Sequence, residues 1–531
     1  MHVGPTNAAW RGWSNEPNRQ GAAASYPWRV RRSRLVVGLA IAGATVLAGC
    51  GSTVPVSHRA QQPAGNELDH GTGADGGRTQ LTTGASGGSI GASGPIGSGV
   101  GRTARTGDAS QTSTASGATT HVGVTASDIL IGFGTEKDAS TAAQTFGLNA
   151  AFGDQEGEAQ AVVDDINRRG VLGRKFRLVL HDTATANALQ DPNAAQQAQC
   201  SDWTEDHKVF AAVNIVGDLN GATLFGCMAK RQTPLVMSDL TSHTIADLGR
   251  FAPYLYAAGV ATVDRYVPVW IDRLVADKYF TSWDTVAGAP GSAPVKIGVG
   301  YVDNDTGHQY LKLVQQALAR HGLSVGDSFA FSPDTTQGLS QISPSLFRFR
   351  SNGVTHILLP ENAYLVTPVA EQQHYRPRYA ITTFDGLSSL TTSTSPPGQL
   401  NGSLGLGWLP VSDVDAARDP GPVSPSETHC LDVMKAGGQA STDRLVQTTQ
   451  LIICDAFSFI ATALTNGRDV TPEAFRRGVA ALGSGFASAM TFQERYGPSR
   501  FDGASAGRDL AYVAACNCYA YPDRTDHPFP A

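Results

Sequence analysis

The sequence has no long basic run, no paired CxxC motifs and no HExxH segment. With 40 Lys and Arg residues against 46 Asp and Glu, a formal net charge of -6, it lacks the electrostatic footprint that phosphate backbones require. Nucleic acid is therefore excluded as a partner. The missing thiolate pairs and histidine spacing leave no basis for a metal site, and no cofactor is expected. Catalysis is equally poorly provided for, because an enzyme would need a nucleophile with its base or a metal centre. The adjacent pair His181-Asp182 ends a strand candidate with no nucleophile context, and it reads as a cap or a solvated pair. Gly84-Ala85-Ser86-Gly87-Gly88 fits the written pattern of a nucleophile elbow, but no strand leads into it and no helix leaves it. The chain is not expected to be an enzyme.

What is present begins near the N-terminus. Arg29, Arg31, Arg32 and Arg34 precede an apolar run over residues 35–42. That run falls short of the ~20 residues needed to span a bilayer and has the anatomy of a signal peptide. It closes with Leu47-Ala48-Gly49-Cys50, which resembles the bacterial lipobox; residues 1–50 then form a lipoprotein signal peptide and Cys50 the lipid anchor. From 51 to 120, Gly, Ser, Thr and Ala dominate, and too little apolar surface exists to offset the entropy of ordering, so this segment reads as a disordered tether. The expected location is the outer face of the cytoplasmic membrane or the periplasm, with the protein anchored by lipid.

Six further cysteines remain, Cys200, Cys227, Cys430, Cys454, Cys516 and Cys518, and an even number in an exported chain points to disulfides. Cys200 and Cys227 flank the third strand candidate, on the helical segments before and after it. Cys430 and Cys454 lie on consecutive helical segments, and Cys516 and Cys518 sit two apart on one face of the last strand. Three pairings of these last four are open, with Cys430 to Cys454 favoured.

A chain of 531 residues exceeds the ~250 to 300 at which single cores stop growing, so two lobes are the natural expectation. Residues 129–133 read as a strand leading into a loop over 134–145. Ala159, Val162, Val163 and Ile166 then recur at helical spacing over 154–169, with Arg168 and Arg169 late and Gly170 as the stop. Strands at 176–180, 209–216 and 234–237 alternate with helical segments, which argues for a parallel sheet covered on both faces. After a polar insertion around 281–294 the alternation restarts with strands at 295–299, 356–359 and 379–381. Residues 404–409 read as a connection back to the first lobe, followed by a helix at 446–464, a Thr471-capped helix opening at Pro472, and a final strand over 510–521. The fold class is thus α/β, with two doubly wound lobes joined by a multi-strand hinge. Lobe 1 takes residues 121–255 and 410–505, and lobe 2 takes 256–409 and 506–525.

The stretch Asn167-Arg168-Arg169-Gly170-Val171-Leu172-Gly173-Arg174-Lys175-Phe176 resembles an element of the type I periplasmic binding proteins, the branched-chain amino-acid receptor group that serves ABC transporters. The Val213 to Gly221 strand and glycine loop, Thr233-Pro234-Leu235, the Lys296 to Gly307 segment and Thr383-Phe384-Asp385-Gly386 follow in that family's order. The resemblance covers residues 124–521, and it implies a bridge between Cys200 and Cys227 comparable to one in the family's amino-acid receptors.

The resemblance also implies where a ligand would sit, since open α/β sheets hold ligands at the carboxyl ends of their strands. On lobe 1 the implied contacts are Gly217, Asp218, Asn220, Gly221, Ser238, Asp239 and Thr241. On lobe 2 they are Asp303, Thr306, Glu361, Asn362 and Asp385. The sequence departs from the amino-acid receptors in having Thr306 where an aromatic is usual and no aromatic beside Glu361. Asp218 and Asp239 would repel a carboxylate and suit an amine, so the ligand class spans amino acids, amides, amines and polyols. The expected function is a solute-binding lipoprotein that captures a small polar molecule by hinge closure and delivers it to an ABC transporter permease. The competing reading is an extracellular ligand-sensing receptor domain acting through a membrane partner.

Overall fold

The computed structural model describes residues 121–145, 151–332, 335–392 and 395–531. The expected signal peptide, Cys50 and the tether lie outside the described residues. In the first lobe, strands β1 (Asp128–Thr135), β2 (Lys175–Asp182), β3 (Ala211–Asn214), β4 (Leu235–Met237) and β5 (Leu255–Ala257) form a parallel sheet in the order β2-β1-β3-β4-β5. All four residues of β3 are buried, as expected of a strand covered on both faces.

Helices α1 (Ala139–Thr145), α2 (Gln155–Arg169), α3 (Thr185–Gln190), α4 (Pro192–Ser201), α5 (Ala222–Lys230) and α6 (Ile245–Arg250) connect these strands. The α2 helix shows how the sequence dictates its own ends. The Asp154 side chain accepts from the Gly157 amide, Ala159, Val162, Val163 and Ile166 form the buried face, and Gly170 terminates the helix at a φ of 71°.

The α7 helix (Val263–Ala276) enters the second lobe, where the insertion folds as a small hairpin of β6 (Trp283–Asp284) and β7 (Ala289–Pro290). Next come β8 (Ile297–Val302), α8 (Asp305–Arg320), β9 (Val325–Phe331), α9 (Thr335–Ser351), β10 (His356–Leu358), α10 (Ala363–Gln372) and β11 (Arg378–Thr382). The chain then runs through α11 (Leu387–Thr392), α12 (Pro397–Leu400) and β12 (Leu404–Gly407). Four helices follow: α13 (Pro410–Asp413), α14 (Pro425–Ala436), α15 (Arg444–Gly467) and α16 (Pro472–Leu482), with α15 packing on α2 and β4 of the first lobe. Strands β13 (Ala506–Val513), β14 (Cys518–Ala520) and β15 (His527–Pro528) complete the second sheet, ordered β14-β13-β12-β11-β10-β8-β9 with β15 beside β13. The α15 helix is long and apolar enough to cross a membrane, yet most of it is buried inside the protein. It is a core helix.

Several local expectations are corrected. Residues 139–145 form a helix rather than a loop, and 404–407 form a strand beside β11 rather than a bare connection. Residues 510–521 are a hairpin, not one strand, so Cys516 lies in the turn and Cys518 opens β14. The pair β9 and α9 escaped the periodicity because β9 is a half-buried edge strand and α9 carries Pro344 within it. Sulfur–sulfur bonds join Cys200 to Cys227, Cys430 to Cys454 and Cys516 to Cys518. The first ties α4 to α5, and the second ties α14 to α15.

Three chain crossings link the lobes: after β5, after β12 and before β13. Two of them are zipped together by backbone bonds, from Ala257 N to Phe501 O (2.8 Å) and from Ala504 N to Val260 O (3.1 Å). Beneath them lies the buried pair Arg265 and Asp502, 2.9 Å apart, with the Thr262 amide and hydroxyl donating to the same carboxylate. Arg265 also donates to Pro530 O at 2.7 Å, so the C-terminal tail is held at the same point. Removing one partner of such a pair strands a buried charge, at a cost of about 3–5 kcal/mol. Asp502→Ala is therefore expected to lose about that much in chemical unfolding, and a loss below about 1 kcal/mol would show that the pair does not hold the hinge.

Candidate functional site

A cavity of about 600 Å³ lies between the lobes at the carboxyl ends of the strands. On the first lobe its wall comes from the segments following β1, β2, β3 and β4. On the second it comes from those following β8, β9 and β10.

The two lobes touch here through specific bonds. Glu361, one residue before the α10 cap, accepts a hydrogen bond on Oε2 from the Ser242 amide of the first lobe at 3.1 Å. Asn362 takes the left-handed conformation at φ 69°, which a short polar side chain tolerates, and so turns the chain between Glu361 and α10. A second contact runs from the Thr306 hydroxyl to Asp247 Oδ2 on α6 at 3.1 Å.

Under the Glu361 contact sits a buried polar relay. Gln199 donates to Asn214, Asn214 Nδ2 donates to Asn220 Oδ1 at 2.9 Å, and Asn220 donates to Asp239. The Asp239 carboxylate also accepts from the Thr241 amide at 3.2 Å and lies 3.4 Å from His243 Nε2. Burial alone would lower the His243 pKa, but Asp239 beside it, with Glu361 and Asp247 beyond, outweighs that and raises it. Glu361 is pushed up to about 7, chiefly by burial, with the Ser242 amide and His243 opposing and Asp239 and Asp385 adding to the rise. No described residue donates to the second Glu361 oxygen.

The structure sorts the expected contacts. Gly217, Asn220, Gly221, Thr241, Thr306, Glu361 and Asn362 line the cavity together. A Cβ on Gly217 would come within 2.9 Å of Thr241 Cγ2, so the Thr241 side chain would have to shift to admit it. Asp218 lies on the one-turn helix Gly217–Leu219.

Four expected contacts lie outside the lining. Ser238 is buried and donates to Ala258 O at 2.9 Å. Asp239 is spent on Asn220, Thr241 and His243, and so supports the site from beneath. Asp303 is 58% exposed and pairs with His308 on the surface. Asp385 is buried, accepting from Thr382 N (2.9 Å) and Ala363 N (3.0 Å), so it caps two segments and does not line the cavity.

Sequence reasoning missed Ser242, His243 and Asp247, which follow the expected contact Thr241 along the loop after β4 and into α6, and it missed the aromatic surface. No aromatic stands at Thr306, yet Phe225, Phe251, Phe331 and Tyr364 line the cavity from other elements. No periodic signal marks them as ligand-facing. His181 pairs with Asp202 at 3.0 Å, while Asp182 accepts from Thr135 Oγ1 and Lys137 N; neither residue lines the cavity.

Comparison with solved structures matches this architecture to substrate-binding proteins of ABC transporters. A branched chain amino acid ABC transporter structure from Thermus thermophilus with bound valine superposes with a TM-score of 0.54 at 13% identity, covering 76% of this chain and 97% of that one. A fatty acid ABC transporter substrate-binding protein from Thermomonospora curvata gives 0.53 at 16% identity, covering 78% and 94%. A solute binding protein from R. palustris in complex with 4-hydroxybenzoate gives 0.53 at 14% identity, covering 75% and 97%. The chain has their fold, the two-lobed type I periplasmic-binding-protein architecture. No family model matches the sequence, and no curated protein matches it either.

Burial raises further carboxyls to about 7: Glu158, Asp385, Asp413 and Glu494, in addition to Glu361. Each holds its proton in the folded state at a pH where the unfolded chain has released it. Their stabilisation is complete below the unfolded values near 4 and is lost as pH rises through about 7. Thermal unfolding is accordingly expected at a higher temperature at pH 5 than at pH 8, and a melting temperature that rises between those values would contradict the assignment.

Proposed function

We propose that this chain is an extracytoplasmic solute-binding lipoprotein, anchored through Cys50, that captures a small molecule between its lobes and delivers it to an ABC transporter permease. The observation that carries the reading is the cavity closed by Glu361 reaching from the second lobe to the Ser242 amide of the first. A cleft of this kind works by differential contact. A ligand docks on one lobe, and contacts from the other favour the closed state. Catalysis has no place in that cycle. The solutes bound in the compared structures, valine and 4-hydroxybenzoate, are small molecules of the size such a cleft accepts.

Charge narrows the head group. Glu361, Asp247, Glu136 and Asp305 line the cavity, against Arg250 and His243. A ligand presenting an ammonium or amide N–H to Glu361 supplies the donor that its second oxygen lacks, and so favours release of the proton that burial keeps on the empty site up to about pH 7.

Native mass spectrometry of gently purified protein should show a retained small molecule, and its identity then permits calorimetry. Glu361→Gln is expected to weaken binding about tenfold or more, since a hydrogen bond to a charged group contributes about 1.5–3 kcal/mol. Asp385→Asn should instead lower the melting temperature and spare affinity, because it disturbs two caps rather than the cleft. Unchanged affinity in Glu361→Gln, or a loss of affinity without loss of stability in Asp385→Asn, would overturn this assignment of roles.

A further inference from the structure

The three sulfur–sulfur bonds differ in what they hold and in what can reach them. Cys200 and Cys227 are separated by 27 positions and Cys430 and Cys454 by 24, and each pair joins two helices, whereas the bond from Cys516 to Cys518 closes across the single residue Asn517. A disulfide stabilises chiefly by restricting the unfolded chain, and that restriction grows with the loop it closes. The shortest loop therefore contributes least to global stability. It is also the one that solvent reaches. Cys516 is exposed in the turn between β13 and β14, while Cys200, Cys430 and Cys454 are buried and Cys227 is half-buried. Cys518, at the other end of the short bond, is buried where β14 begins.

What the short bond holds is Asn517. That residue takes the left-handed conformation at φ 51°. Its side-chain amide donates to Thr391 O at 2.8 Å, and its side-chain oxygen accepts from the Tyr512 hydroxyl at 2.7 Å. Thr391 stands in the last turn of α11, where carbonyls have no partner within the helix. The turn between β13 and β14 thus supplies a cap to α11, and the bond between its two neighbours fixes the residue that does so.

We infer that the Cys516 to Cys518 bond is a thiol-exchange site, reversibly reduced by an external dithiol, and that its reduction releases α11 while the rest of the fold stays intact. A thiolate of the dithiol attacks the exposed Cys516 sulfur. The bond to Cys518 breaks, and the Cys518 sulfur leaves as a thiolate that takes a proton from solvent. The second thiol of the dithiol then attacks its own partner sulfur in the mixed disulfide and expels Cys516, which is protonated in turn. Two cysteine thiols form and the dithiol becomes a disulfide, so atoms and electrons balance. In the two helix-joining bonds no cysteine is exposed, which denies them the first step.

The test is graded reduction of the full chain with dithiothreitol under native conditions, followed by alkylation of free thiols and peptide mass spectrometry. Cys516 and Cys518 are each expected to gain an alkyl group at reductant concentrations that leave Cys200, Cys227, Cys430 and Cys454 unlabelled. Opening of either helix-joining bond before or together with the short one would overturn the assignment. At the concentration where only the short bond is open, hydrogen exchange of peptides covering α11 should quicken while those from α2 and α15 stay unchanged. Asn517→Ala should quicken α11 in the same way with all three bonds intact. Unchanged exchange of α11 in the reduced chain or in Asn517→Ala, or faster exchange throughout the reduced chain, would overturn the clasp.

Discussion

One hydrogen bond organises this molecule's working surface: the amide of Ser242 donating to Glu361 across the gap between two sheets. A carboxylate taken that far from water is unfavourable unless donors are found for it. The first lobe offers one backbone donor, and behind it His243, made more basic by Asp239. Everything nearby follows from keeping those groups in position. The Gln199, Asn214 and Asn220 relay holds Asp239, and Asp239 holds the loop on which Ser242 stands.

Such a contact has value only if the lobes approach along a defined path, and the hinge supplies one. Arg265 and Asp502 are buried with their hydrogen bonds satisfied by Thr262, Pro530 and the crossing strands. A buried ion pair adds little net stability compared with well-packed apolar residues, but it tolerates few alternative geometries. The Asp413 carboxylate does the same for the crossing after β12, accepting from Thr383 and from the Leu409 amide at 3.1 Å each.

The architecture was largely legible because it is written in periodicity and punctuation. Ala159, Val162, Val163 and Ile166 with Gly170 specify α2, and the apolar runs at β1, β3 and β8 specify buried parallel strands. The site was half legible. The rule that ligands gather at the carboxyl ends of strands located Asn220, Thr241, Thr306 and Glu361. It could not tell a carboxylate facing a cavity from one consumed as a cap, because both are polar residues just past a strand. Asp385 and Glu361 differ only in which backbone amides lie within reach, and that is a tertiary fact.

The most direct measurement is hydrogen exchange of the Ser242 amide, followed by mass spectrometry on a peptide covering residues 238–248. With the lobes joined through Glu361, that amide exchanges slowly in the wild-type chain, and Glu361→Ala releases it while leaving peptides from α2 and α15 unchanged. Equal exchange of the 238–248 peptide in both proteins would mean that the contact across the cleft does not govern the closed state, and the account would fail at its foundation.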